Sequence, residues 1–118
     1  MRMDASSETP APSHTPAHSI ELVWLVEATY APDAAETRVP VRAEHLARAA
    51  RLKAAGTIIE VGAYPDVSAS ILLIRAATEA EAIDICRQDV YMRSGVWVEL
   101  RARPFARLRL DDEGPTTG

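Results

Sequence analysis

The chain has 118 residues, of which 47% are hydrophobic and 25% charged, enough for one domain with a proper apolar core and too few for two. Its formal net charge of −4 argues against a nucleic-acid binder, which needs a clustered basic face. The C-terminal arginines Arg101, Arg103, Arg107 and Arg109 run directly into Asp111, Asp112 and Glu113.

Residues 1–18 are rich in Ser, Thr, Pro and Ala and read as a disordered tail. They carry Asp4 and Glu8 and no apolar run, so they do not resemble a secretory signal. No later stretch approaches the length of a membrane span, and a cytoplasmic protein is the expectation. His14 and His18 are four apart, but Pro16 between them opposes the helix that would pair them, and no metal site is expected.

The first strand is expected over Ile20–Ala28, with Leu22, Trp24 and Val26 on one face and Val23 and Leu25 on the other. After a loop containing Pro32, the segment VPVRAEHLARAARLKAAG, Val39–Gly56, reads as a helix with Pro40 in its first turn and Gly56 as its stop. Arg42, His45, Leu46, Ala49 and Leu52 form one stripe on it, so a stripe expected to face the core begins with two polar groups. A second strand spans Thr57–Val61 and a third Ala69–Arg75, with a turn at Pro65 and Asp66 between them. The third strand is again apolar on both faces.

Thr78 and Glu81 have the spacing of a capping box, opening a second helix that runs to Gln88 or Asp89. Its stripe is Ala82, Ile85, Cys86 and Asp89. Cys86 is the only cysteine, which rules out an intrachain disulfide, and on this stripe it reads as a small core residue and not a nucleophile. The last strand, Val96–Arg103, places Val96, Val98, Leu100 and Ala102 on one side and Trp97, Glu99, Arg101 and Arg103 on the other. Residues 109–118 read as an acidic disordered tail, leaving residues 19–108 as the domain.

The order βαββαβ with right-handed crossovers gives a ferredoxin-like α+β fold: a four-stranded antiparallel sheet with two helices on one face. The first and third strands become central in it, in keeping with their two-sided apolar pattern. Two helices cover only one face, so the exposed Val, Leu and Ile of the other predict a homodimer packed sheet on sheet.

Each helix thus directs one ionisable group, His45 or Asp89, toward the sheet. A buried carboxylate needs a partner, and an aspartate fixes the tautomer of a histidine it meets. Simple packing puts His45 near the start of one helix and Asp89 near the end of the other. They meet only if the chain turns back after Gln88 or the histidine reaches across a cleft. On the residues alone, a functional pair and two local caps remain equal readings.

The segments VRAEHLARAARLKAAGTIIEVGAYPD and RQDVYMRSGVWVELRARPF carry a further signal. In order, Arg42, His45, Gly56, Gly62, Asp89, Tyr91, Gly95, Pro104 and Phe105 resemble the pattern of the YciI-like, or YCII-related, domain family, from about Ile20 to Leu108. Val90 and Ala63 stand where that pattern has proline. The resemblance implies a dimeric α/β barrel-type association and a His45–Asp89 pair in a cleft as catalytic centre, with Arg42 and Tyr91 on the substrate. His45 would then act as general acid–base, and Arg42 would hold a carboxylate or enolate of a small organic acid. Elimination, isomerisation or lactone-type chemistry suits such a site, elimination first, since one relative acts as a dehydrochlorinase. No phosphate-cradling glycine loop is present and no cofactor is expected. Two rival readings share the architecture: a non-catalytic ligand-binding or regulatory dimer, and a cofactor-free monooxygenase.

Overall fold

Four strands and two principal helices alternate along the chain in a computed structural model that describes residues 17–110. Strand β1 is His18–Tyr30, β2 Ile58–Ala63, β3 Ala69–Ile74 and β4 Trp97–Leu110. Helix α2 is Arg42–Ala54 and α3 is Glu79–Arg87; two single-turn helices flank them, α1 at Ala34–Thr37 and α4 at Val90–Arg93. The sheet order is β2-β3-β1-β4, with β1 and β3 central, as their two-sided apolar pattern requires. Antiparallel registers pair Trp24 with Ile74 and Val26 with Leu72 across β1 and β3, and Val61 with Leu72 across β2 and β3. The sheet is antiparallel with its helices on one side, a ferredoxin-like α+β fold.

Cross-strand partners share a face, so Val26, Ala28, Leu72 and Ile74 form the floor of the core beneath the helices. Ala82 and Cys86 of α3, together with Val90, Tyr91, Val96 and Trp97, close over that floor. Leu25, Ile71 and Leu73 lie on the opposite face of the central strands and are half-buried. Residues 18–21 and 106–110 group as a separate unit from residues 22–105, and within it Arg107 donates to Glu21 at 3.0 Å.

The helix boundaries follow from local chemistry. Thr78 caps α3 by accepting the Glu81 N–H at 3.2 Å, and the Glu81 carboxylate reaches back to the Ala77 N–H at 3.0 Å. Helix α2 stops at Gly56, whose φ of +82° only glycine adopts cheaply; the Thr57 N–H returns to Leu52 and the Gly56 N–H to Lys53. Helix α4 ends the same way at Gly95, φ +79°, with the Val96 N–H on the Tyr91 carbonyl at 2.9 Å. In β2 the register slips between Ile58 and Glu60, leaving Ile59 as a bulge whose carbonyl accepts from Lys53 Nζ at 2.7 Å.

Several expectations are corrected. The core stripe of α2 is His45, Arg48, Ala49 and Leu52, while Leu46 is 50% exposed and forms a pocket wall. Val96 and Trp97 are both fully buried: Val96 lies in the turn after Gly95, ahead of the strand, and Trp97 opens β4. Strand β4 continues past Arg103 through Arg109 and Leu110, and β1 begins at His18, so these residues are strand where the composition suggested tail. Residues 1–16 and 111–118 of the expected tails, with His14, lie outside the described residues. Among the described residues no helix is long and apolar enough to cross a membrane.

Candidate active site

Asp89 is the second residue after α3, following the cap residue Gln88. Its backbone is extended, with φ −71° and ψ 145°, so the chain turns there and starts α4 in a new direction. Asp89 caps that helix, its Oδ1 accepting the Tyr91 N–H at 2.9 Å. The turn points the carboxylate at α2, where His45 Nδ1 lies 2.8 Å from the same oxygen. Sequence separation of 44 residues therefore ends in a buried contact: His45 is 8% exposed and Asp89 4%.

Val90 occupies the first position of α4, where proline is well suited. Its side chain is buried in the core, and Asp89 keeps its cap without the proline.

A third group completes the pair. Arg48, one turn beyond His45 on the same face of α2, donates from Nη1 to Asp89 Oδ2 at 3.3 Å and from Nη2 to the Ile85 carbonyl at 2.8 Å. The carboxylate is thereby engaged on both oxygens. Sequence reasoning overlooked Arg48 because an arginine inside a helix reads as solvent face. Its spacing of three from His45 was the available signal.

Burial alone would raise the Asp89 carboxyl. The His45 hydrogen bond, the Tyr91 N–H and the charges of His45 and Arg48 outweigh it and hold the group below its ordinary value. An ionised carboxylate only accepts, so His45 carries its proton on Nδ1 and leaves Nε2 as the ring's other nitrogen. Burial and the neighbouring Asp89 charge, only partly offset by Arg48, push the Cys86 thiol up to about 12, so it has no thiolate character at neutral pH.

Aromatic rings fix the imidazole further. Tyr91 stacks on it with centroids 3.7 Å apart and planes 7° from parallel. Trp97 stands nearly perpendicular to both, 5.4 Å from His45 and 5.5 Å from Tyr91, which sets it beside the stack against the edges of both rings. Its indole Nε1 is buried without a hydrogen-bond partner among the described residues.

His45 and Tyr91 line a hollow of about 190 Å³ together with Arg42, which is exposed, and Arg38. Leu46 and Ala49 of α2 and Val61 and Ala63 of β2 supply its apolar walls, and Tyr30 and Ser70, hydrogen-bonded at 3.1 Å, its polar end. Burial and Tyr30 raise the Tyr91 phenol despite the Arg38 and Arg42 charges, so it remains a neutral hydroxyl at neutral pH. The four residues singled out in the sequence thus converge: His45 and Asp89 touch, and Arg42 and Tyr91 line the hollow that His45 opens into. Among the described residues, no three His, Cys, Asp or Glu side chains gather as metal ligands.

Comparison with known proteins gives three findings. The family model of the YCII-related domain matches residues 22–106. An uncharacterised protein of Haemophilus influenzae is 25% identical over 97 residues, covering 74% of this chain and 99% of that one. The fold is also similar, at TM-score 0.61 and 21% identity, to 5-chloro-2-hydroxyhydroquinone dehydrochlorinase (TftG) from Burkholderia phenoliruptrix AC1100, solved in complex with 2,5-dihydroxybenzoquinone; the match covers 70% of this chain and 92% of that one.

Proposed function

Given that the chain belongs to the YCII-related domain family, we propose that it is an enzyme performing general acid–base chemistry on a small organic acid. The observation that carries this reading is the His45–Asp89 hydrogen bond of 2.8 Å at the wall of a ring-sized hollow. Asp89, held ionised by Arg48 and the Tyr91 N–H, keeps the proton of His45 on Nδ1 and stabilises the imidazolium that forms when Nε2 accepts a second one. His45 Nε2 removes a proton from the substrate and returns it to a different atom, or loses it to solvent as a leaving group departs. Arg42 holds the carboxylate or enolate whose charge grows as the proton leaves, and the neutral Tyr91 hydroxyl donates a hydrogen bond to an oxygen of the ligand.

Elimination is the first reaction to try, since a protein of the same fold is a dehydrochlorinase. The test offers the full chain 5-chloro-2-hydroxyhydroquinone and follows chloride release, then offers ring hydroxy acids and follows exchange of carbon-bound hydrogen with deuterated water. Turnover falling by about 10²–10⁴ in His45→Gln, with the fold retained by circular dichroism, supports the reading. Wild-type rates in that variant overturn it. If a ligand binds this hollow and no member of the panel is turned over, a binding module takes its place.

The reading includes a homodimer formed through the open sheet face, where Leu25, Ile71 and Leu73 are half-buried. Light scattering at twice the chain mass of 12.8 kDa supports it, and a monomer at micromolar concentration removes it.

A further inference from the structure

The two arginines of the hollow differ from the others near the site. Arg48 is spent on Asp89 and Ile85, and Arg93 on Glu44 at 3.1 Å. The guanidinium groups of Arg38 and Arg42 have neither a hydrogen bond nor an ion pair with any described residue. Arg38 is half-buried, and a guanidinium taken partly out of water without a counter-charge is costly unless an anion joins it. Among the described residues no Asp or Glu lines the hollow, and Asp89 behind it is already shared between His45 and Arg48. Arg38 stands at the end of α1 and Arg42 at the start of α2, joined by the single 3-10 turn Val39–Val41, so the two are four residues apart across a rigid connection. Both side chains line the hollow together with His45 and Tyr91, and both charges bear on the Tyr91 hydroxyl.

Size and shape narrow the ligand further. An apolar cavity of about 150 Å³ admits benzene. The present hollow of about 190 Å³ therefore has room for one substituted ring between its aliphatic walls.

We propose that the hollow takes a ring acid bearing two anionic oxygen groups, one paired with Arg42 and the other with Arg38. This rests on the acid–base reading only for what happens after binding. Arg38 is the specificity determinant: with one guanidinium the site accepts any small carboxylate, and with two it prefers the dianion. A bound monoanion leaves one positive charge in the hollow uncompensated, whereas a dianion balances both.

The test measures binding of three probes to the full chain by isothermal titration calorimetry: phthalate, benzoate and benzamide. The expected order is phthalate tightest, by at least about tenfold over benzoate, with benzamide weakest. Arg38→Gln brings phthalate within about threefold of benzoate, while benzoate itself changes little. Salt dependence of the wild-type protein gives a second measure that needs no variant: the loss of phthalate affinity with rising salt is about twice as steep, on logarithmic axes, as that of benzoate. Equal affinity for phthalate and benzoate, full preference retained in a folded Arg38→Gln protein, or no binding of any probe overturns the proposal. If phthalate is preferred and no acid–base turnover is found, the ligand class stands and the catalytic reading falls. His45-dependent turnover with no dianion preference does the reverse.

Discussion

Replacing Asp89 tests the arrangement most directly, because one carboxylate serves three donors. Asp89→Ala removes the cap of α4, worth about 1 kcal/mol. It also leaves the buried His45 Nδ1–H without its acceptor and strips Arg48 of one of two, at about 1–3 kcal/mol for the fully buried donor and less for the half-buried one. The sum is about 3–5 kcal/mol, the usual cost of breaking a buried ion pair from one side. Asp89→Asn keeps a side-chain oxygen for the Tyr91 N–H and should cost about 1 kcal/mol less. Urea unfolding at pH 7 followed by circular dichroism measures both. Because the native carboxyl sits below its unfolded value, the unfolded chain takes up the proton first as pH falls. The contribution of Asp89 is complete above about pH 4, the unfolded value, and disappears as pH drops through the native one. The gap between wild type and Asp89→Asn must therefore narrow in acid. A gap below about 1 kcal/mol for Asp89→Ala at pH 7, or one that widens toward pH 3, refutes the reasoning.

Three further outcomes follow from the geometry. Val90→Pro should fold and lie within about 1 kcal/mol of wild type in urea unfolding, because Asp89 already has the extended backbone that precedes proline and position 90 is the first of its helix. Gly56→Ala should cost about 1 kcal/mol in the same assay although there is room for its Cβ, 3.7 Å from Arg75 Nη1, since the penalty lies in the left-handed backbone. The Cys86 thiol, raised to about 12, should react with a disulfide reagent at pH 8 only as fast as the protein opens, and at once in denaturant.

The strand order was legible because burial on both faces marks a central strand, and β1 and β3 carry that mark in Val26, Leu72 and Ile74 alongside Leu25 and Leu73. The ends of α2 and α3 were legible from Gly56 and Thr78, whose roles are set by their own backbone. The meeting of His45 with Asp89 was legible only through the family resemblance and not from periodicity, because it depends on the chain reversing after Gln88, and the device that reverses it is a four-residue helix too short to leave a periodic signal. Leu46 misled for a related reason: next to a hollow, an apolar residue at the correct spacing faces empty space instead of the core. Arg48 and Arg38 escaped notice because arginine has no apolar signature, and only the folded backbone distinguishes the one that neutralises a carboxylate from the one that awaits an anion.

The bulge at Ile59 has a bearing on how the molecule behaves at high concentration. With its carbonyl capped by the Lys53 ammonium and its register broken at the outer margin, β2 offers an incoming extended peptide no continuous ladder to add to. Templated stacking of chains along that rim is thereby disfavoured, which leaves β4 as the sheet's other edge for any such addition.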